Sequence, residues 1–309
     1  MINRFKTNFN LNYPSIRLIE EKESLINQSK IIGLLLSLRN RMEGSFSRFL
    51  PEPQASLLAG ILLGVKKEMP EKFLKNLQET GTIHIVVASG YNISVIAGFL
   101  LNSLAVRIGR KKAILISFIG ILIYTFIAGA QPPIVRAAIM GSLTYLAQLL
   151  GREKDGLWSL VLAAVIMLLV SPLILFDIGF QLSFTATAGI LLLNPILKGK
   201  TTLAAQIATL PILLANFGQV SWLSPLINAL VLPAVPLIMS LGAMTVVAGQ
   251  ILAWLTWVPL TYFVKIIELF SRLPWISFSV GKISFFWAVG YYFILGLWIL
   301  RRQKPRSSD

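Results

Sequence analysis

The 309-residue chain has no cysteine and only one histidine, His84. Disulfides and thiolate metal sites are therefore excluded. A zinc or di-metal nuclease centre needs several ligands close together, and one histidine cannot supply a His-rich set. Charge is scarce too. Only 13% of residues are charged, against roughly 25% in a soluble domain. The 13 acids are outnumbered by 28 Lys and Arg, for a net charge of +15. No GxxxxGK[ST] loop is present to cradle a nucleotide. The start, MINRFKTNFNLNYPSIRLIEEKES, has no apolar core behind its basic residues. A cleaved signal peptide is not expected, and an internal segment should direct insertion. No catalytic residue, metal or cofactor is expected.

What is present is apolar. Hydrophobic residues make up 55% of the chain, and the mean hydropathy is +0.74. Apolar runs of helix-spanning length recur over 83–106, 113–130, 132–150, 157–176, 178–197, 203–217, 223–249, 251–272 and 283–300. The pattern predicts an all-α, polytopic helical membrane protein with about nine spans. Before them, Leu34, Leu35, Leu38, Met42, Phe46 and Phe49 form a stripe that Arg39, Arg41, Glu43 and Arg48 avoid. This predicts an amphipathic interfacial helix, ended by Pro51 and Pro53. The run QASLLAGILLGV (54–65) is too short for an ordinary span and reads as a re-entrant or thin one. The prolines of SPLINALVLPAVPLIM (224–239) predict a broken helix, tolerated at depth where protein satisfies the freed backbone. The expected organisation is a polar and amphipathic segment (1–50), a membrane domain (51–300) and a basic tail (301–309).

Charge sets the orientation. Arg107, Arg110, Lys111 and Lys112 follow the first clear span, Arg152 and Lys154 the third, and Lys198 and Lys200 the fifth. Arg301, Arg302, Lys304 and Arg306 follow the ninth. Loops 130–131, 171–177 and 218–222 contain no Lys or Arg. The positive-inside rule puts the basic loops and the C-terminus in the cytoplasm. The same parity places Lys66–Thr82 outside, although that segment holds four lysines.

Several polar residues stand where apolar ones would be cheaper. His84, Ser89 and Asn92 open the first clear span, and Arg136 lies near the start of the third. Asp177 and Gln181 open the fifth, and Asn228 lies early in the seventh. All enter from the outer side, as the lining of an outward-facing vestibule would. The blander readings are that Arg136 and Asp177 form a structural ion pair and that His84 is simply hydrogen-bonded structure. Gly90, Gly98, Gly141, Gly179, Gly189 and Ser183 read as helix-packing residues. A Ser89/His84 protease does not fit: five residues on a helix separate the two by about 140°.

Four ordered blocks carry a resemblance. TGTIHIVVASGYNISVIAG (80–98) presents Thr80, Gly81, His84, Ser89, Gly90 and Asn92. QPPIVRAAIM (131–140) holds Arg136, FDIGFQLSFTATAGI (176–190) holds Asp177 and Gln181, and SPLINALVLPAVPL (224–237) holds Asn228. With LPEPQASLLAGILLGVKKEMP (50–70) ahead of them, they resemble the ComEC competence-protein family across roughly residues 50–300. The resemblance implies the membrane core of a channel that takes up single-stranded DNA during natural transformation, set in the bacterial cytoplasmic membrane. The family's OB-like and metallo-β-lactamase-like parts have no counterpart in this sequence. A separate DNA receptor, nuclease and ATP-driven motor are therefore the expected partners, beside single-stranded DNA and the lipid bilayer.

A DNA path needs a few phosphate donors without tight binding at every step. His84, Ser89, Asn92, Arg136, Asp177, Gln181 and Asn228 are its candidate lining. Arg136 would contact phosphate and Asp177 would position Arg136 or Gln181, while Tyr91, Phe180 and Phe184 are candidates for base stacking. The alternatives are a transporter for another anionic solute and a membrane scaffold for separate DNA-handling chains. The orientation is testable. Single cysteines at Arg110 and Gln219 should react oppositely with an impermeant thiol reagent, and equal outside labelling at both would overturn the assignment.

Overall fold

The computed structural model describes residues 30–65, 69–86, 90–153, 155–273, 275–279, 281 and 285–303. Of the described residues, 82% are helical. Its elements are α1 (Lys30–Phe49), α2 (Gln54–Leu63), α3 (Glu71–Glu79), α4 (Ile83–Val86), α5 (Gly90–Ile108), α6 (Arg110–Ile127), α7 (Pro132–Leu149), α8 (Gly156–Val170), a 3-10 turn (Pro172–Phe176), α9 (Ile178–Leu193), α10 (Thr201–Phe217), β1 (Gln219–Ser221), α11 (Ser224–Val231), α12 (Ala234–Ala248), α13 (Gln250–Ser271), β2 (Ser277–Ser279) and α14 (Phe285–Gln303). Among the described residues two helices, α5 and α13, are long and apolar enough to cross a membrane by length and composition. The pair Ser224–Val231 and Ala234–Val246, bent by 44°, makes a third if counted as one span. That pair is the broken helix expected at the prolines. Within the segment expected at 83–106 the described helices are α4 and α5, and residues 87–89 lie outside the described residues.

The main core joins α1–α7 to α11–α13. Phe46, Leu57, Leu58, Ile61, Leu77, Ile121, Ile134, Ile227, Ile238 and Phe263 are fully buried in it. A smaller core of Leu193, Ala204 and Ala208 joins α9 to α10, with Leu295 and Ile299 of α14 packed on it. Helix α8 stays outside, with Trp158 and Leu169 exposed, as suits apolar side chains turned to lipid. Helix α1 does not stand apart as a surface element, because Phe46 and Leu50 belong to the main core. It packs along α2, α6 and α12.

Every residue of α2 is buried. This ten-residue helix ends inside the protein, so its last carbonyls need partners other than water. Gly64, left-handed at φ 71°, returns its N–H to Gly60 O. Asn92 Nδ2 of α5 donates to Ile61 O at 2.7 Å. Gln131 Nε2, ahead of α7, donates to Gly64 O at 2.9 Å. At the other end, Gln54 Nε2 donates to Thr261 Oγ1 of α13 at 3.2 Å.

The prolines inside helices raise the same need. Pro211 removes the amide that would have bonded Ile207 O four residues earlier. Tyr291 Oη of α14 donates to that carbonyl at 2.9 Å, and Tyr292 Oη donates to Ala208 O at 2.9 Å. At the α11–α12 break, Tyr262 Oη donates to Leu230 O at 3.1 Å.

One end of the bundle gathers distant segments. Strands β1 and β2 pair antiparallel, with Gln219 opposite Ser279 and Ser221 opposite Ser277. Trp222 Nε1 donates to Trp275 O at 2.9 Å beside them. Helix α3 packs against β1 and α13, and Gly81 abuts Ser221 and Ser224. The α3 segment thus shares its end with the loop at 218–222, as the parity requires despite the lysines. Lys66, Lys67, Lys154 and the tail from Lys304 lie outside the described residues.

The glycines do not all pack. Nothing lies within 4 Å of a Cβ added at Gly98, and at Gly141 the nearest atom is 3.7 Å away, an ordinary contact. At Gly189 the same atom would run into Ala208 Cβ and stand 2.8 Å from Ala204 O. Close approach of α9 to α10 therefore depends on Gly189 meeting small residues. Gly189→Ala should lose about 1–3 kcal/mol, because backbone cannot swing away as a side chain can. Gly98→Ala should be neutral or gain up to about 1 kcal/mol from helix propensity. Thermal unfolding of the purified variants in detergent tests this, and equal behaviour of the two would contradict the packing assignment.

Candidate anion site at the meeting of three helix starts

Arg136 stands in the second turn of α7, between the starts of α5 and α9. Its Nη1 donates to Ser183 O of α9 at 2.6 Å. A Cβ at Gly90 would lie 2.6 Å from Arg136 Nη2 and 3.1 Å from Ala137 Cβ. The guanidinium therefore rests against a helix start that carries no side chain. Arg136 Nε and Ser183 Oγ are both buried and have no hydrogen-bond partner among the described residues.

Asp177 is not the counterion of Arg136. Its Oδ1 accepts from Phe180 N at 2.8 Å and so caps α9, and the residue is exposed. Among the described residues the ion pair formed is Lys75–Glu79, at 3.7 Å. The blander reading of a structural pair thus gives way to a helix cap on one side and a carbonyl contact on the other. An aspartate directly before a helix is favoured for capping, which is the signal the charge-pairing argument overlooked. Gly179 lies beside this cap, with Asp177 Oδ1 3.0 Å and Pro133 3.7 Å from an added Cβ.

The other candidates divide. Gln181 Nε2 donates to Leu175 O at 3.0 Å, across the turn before α9. Asn92 is fully buried and committed to Ile61 O, deep beside α2. His84 is exposed on α4. Asn228 is 3% exposed in α11, and its Nδ2 donates to Ser224 Oγ at 3.3 Å. Ser224 Oγ in turn donates to Gly81 O at 3.3 Å, so the Asn228 block meets the turn that leads into His84. Ser89 lies outside the described residues. Of the stacking candidates, Phe180 is buried and its ring sits 4.2 Å from that of Phe184, whereas Tyr91 is exposed.

The four sequence blocks thus meet pairwise. The first touches the second and, through Arg136, the third, while its Gly81 touches the fourth. A model of the family described as Competence protein matches residues 61–305.

The chain belongs to the Competence protein family.

Within that family it is similar to ComE operon protein 3 of Bacillus subtilis (strain 168), 28% identical over 209 residues, covering 64% of this chain and 27% of that one. The protein YcaI of Escherichia coli (strain K12) is 25% identical over 238 residues, covering 68% of this chain and 31% of YcaI. A protein of Aquifex aeolicus (strain VF5) is 30% identical over 178 residues, covering 55% of this chain and 42% of its own. The matches therefore span less than half of each of these relatives. No solved structure matches. All four blocks fall inside the matched range, so the meeting of α5, α7 and α9 belongs to the competence domain itself.

The geometry separates two roles that a charge pattern merges. Asp177→Ala should cost about 1 kcal/mol through the lost cap, by the same amount whether residue 136 is arginine or alanine. A double-mutant cycle on thermal stability should give coupling below about 0.5 kcal/mol. Coupling well above that would restore the ion pair.

Proposed function

We propose that this chain is the membrane conduit through which single-stranded DNA is drawn inward during competence, with about nine crossings of the bacterial cytoplasmic membrane. Membership of the Competence protein family over residues 61–305 carries the reading. The internal, discontinuous elements support it. A buried ten-residue helix and a helix broken at Pro233 are expensive in a bundle that only fills a bilayer, and they recur where membrane proteins build a path for solutes.

In this reading the outer end, with β1, β2, α3 and the helix starts around Arg136, receives the strand. Single-stranded DNA is a polyanion, and a pathway needs sparse fixed positive charge rather than a dense basic groove. Basic residues at the opposite end (Arg107, Arg110, Lys111, Lys112, Arg152, Lys198, Lys200) hold the topology and meet the anionic cytoplasmic leaflet. No residue of this sequence is assigned a part in strand degradation or ATP-driven pulling, since it holds one histidine and no nucleotide-binding loop.

Disruption of the gene should leave labelled double-stranded DNA bound at the cell surface while label in a DNase-protected, internal form falls to background. Complementation should restore it. Normal internalisation in the disruptant would reject the conduit. Loss of uptake of a small anion, with DNA entry intact, would replace DNA as the substrate.

A further inference from the structure

We infer that Arg136 and Ser183 form a phosphate-binding subsite between the starts of α5, α7 and α9; the inference deepens the conduit reading and rests on it for the identity of the strand. The starting point is an imbalance of charge. A guanidinium withdrawn from water is stable when an anion or a full set of acceptors faces it. Arg136 has neither among the described residues. Its one hydrogen bond goes to a neutral carbonyl, Ser183 O, and its Nε is buried without a partner. No Asp or Glu oxygen lies within 4.0 Å of it among the described residues, because the ion pair found there is Lys75–Glu79.

The second observation lies on the other side of the same contact. Ser183 Oγ is also buried without a partner, although its residue supplies the carbonyl that holds Arg136. That carbonyl already accepts from Thr187 Oγ1 at 3.0 Å as well. An arginine N–H and a serine O–H are thus brought together by the Arg136–Ser183 contact, and both can donate. On the Gly90 side no side chain intervenes, and Arg136 Nη2 occupies the space that a Cβ there would fill.

The ligand class follows from the donors. Two donors and one uncancelled positive charge suit an oxyanion with several acceptor oxygens, which is a phosphate or phosphodiester group. A carboxylate side chain on the same spot would neutralise the charge and leave nothing for a passing anion. A carbonyl fixes the guanidinium while leaving its charge in place. With Nη1 tethered, Nε and Ser183 Oγ are the unpartnered donors left for the ligand. The contact is one phosphate deep, which suits a strand that must bind and move on.

The test uses the purified full chain in nanodiscs, with inorganic phosphate and a thymidine oligonucleotide as separate probes. A methylphosphonate oligonucleotide of the same length serves as the uncharged control. Oligonucleotide binding should weaken about tenfold in Arg136→Gln, and the slope of log affinity against log salt should shrink by roughly 0.7, the value for one phosphate on a single strand. Arg136→Lys should keep most of the slope while losing part of the affinity, because the charge stays and the fork is lost. Ser183→Ala should weaken binding a few-fold with the slope unchanged, since a hydroxyl carries no charge. The control should show no difference between the wild type and any variant.

Salt slopes identical in wild type and Arg136→Gln would overturn the subsite, as would undiminished affinity in both Arg136→Gln and Ser183→Ala. If Arg136→Gln fails to fold, Arg136→Lys and Ser183→Ala decide alone, and affinity unchanged in both rejects it. Arg136-dependent binding of inorganic phosphate without oligonucleotide binding would uphold the subsite and sink DNA as its ligand. The failure of the conduit and the failure of the subsite are thus told apart.

Discussion

A helix that ends inside a protein leaves carbonyl groups with no water to meet, and each one left unpaired there costs about 1–3 kcal/mol. Helix α2 sets this condition for the whole bundle. It is ten residues long and buried throughout, so its C-terminal end had to be built into the surrounding helices. Asn92 and Gln131 do that, one from α5 and one from just before α7. The requirement fixes the depth of both helices against α2. It also fixes α12, whose Gly242 leaves room for Leu58 and Leu62 of α2. The starts of α5 and α7 come together as a result, and with them the contact between Gly90 and Arg136.

The same rule governs the breaks elsewhere. Pro211 frees Ile207 O, and a tyrosine of the last helix covers it. The α11–α12 break leaves Leu230 O, and Tyr262 covers it. Polar side chains in this chain are thus mostly committed to backbone. Asn92, Gln131, Gln181, Tyr262, Tyr291 and Tyr292 each donate to a carbonyl of another part of the chain. Counting polar residues at membrane depth therefore overstates how many are available to a solute. Tyr291 and Tyr292 went unnoticed in the sequence, although the proline inside an apolar helix signalled that some donor had to exist.

Much of the architecture was legible because it follows from local physics. Apolar runs gave helices, prolines at 233 and 236 gave the bent pair, and the length of 54–65 marked α2 as something other than a full span. What was not legible depends on pairing at a distance. Asn92 reads as a polar residue near the start of a span, and nothing in its neighbourhood announces a carbonyl 31 residues earlier. Gly98 and Gly189 look alike in sequence, yet only Gly189 meets a neighbouring backbone, because its helix partner there is built from Ala204 and Ala208. Arg136 and Asp177 look complementary in charge. The local preference of an aspartate for the end of a helix prevailed over attraction across the bundle.

That outcome bears on function as well as packing. Had Asp177 paired with Arg136, the two charges would have cancelled, and the outer end would present only a dipole to an approaching anion. A dipole's potential falls off faster with distance than that of a single charge, and salt at physiological strength screens both within about 8 Å. A lone guanidinium at the edge of a low-dielectric interior keeps more of its field than one in water. The carbonyl of Ser183 tethers Arg136 by one hydrogen bond at 2.6 Å, and it leaves the net charge at +1. Placing the acid six residues before Ser183, as the cap of α9, therefore lets one segment stabilise its own helix and still keep the arginine's charge uncancelled. In a chain with so few charges at membrane depth, this division of labour between Asp177 and Ser183 is what leaves Arg136 able to act on an anion.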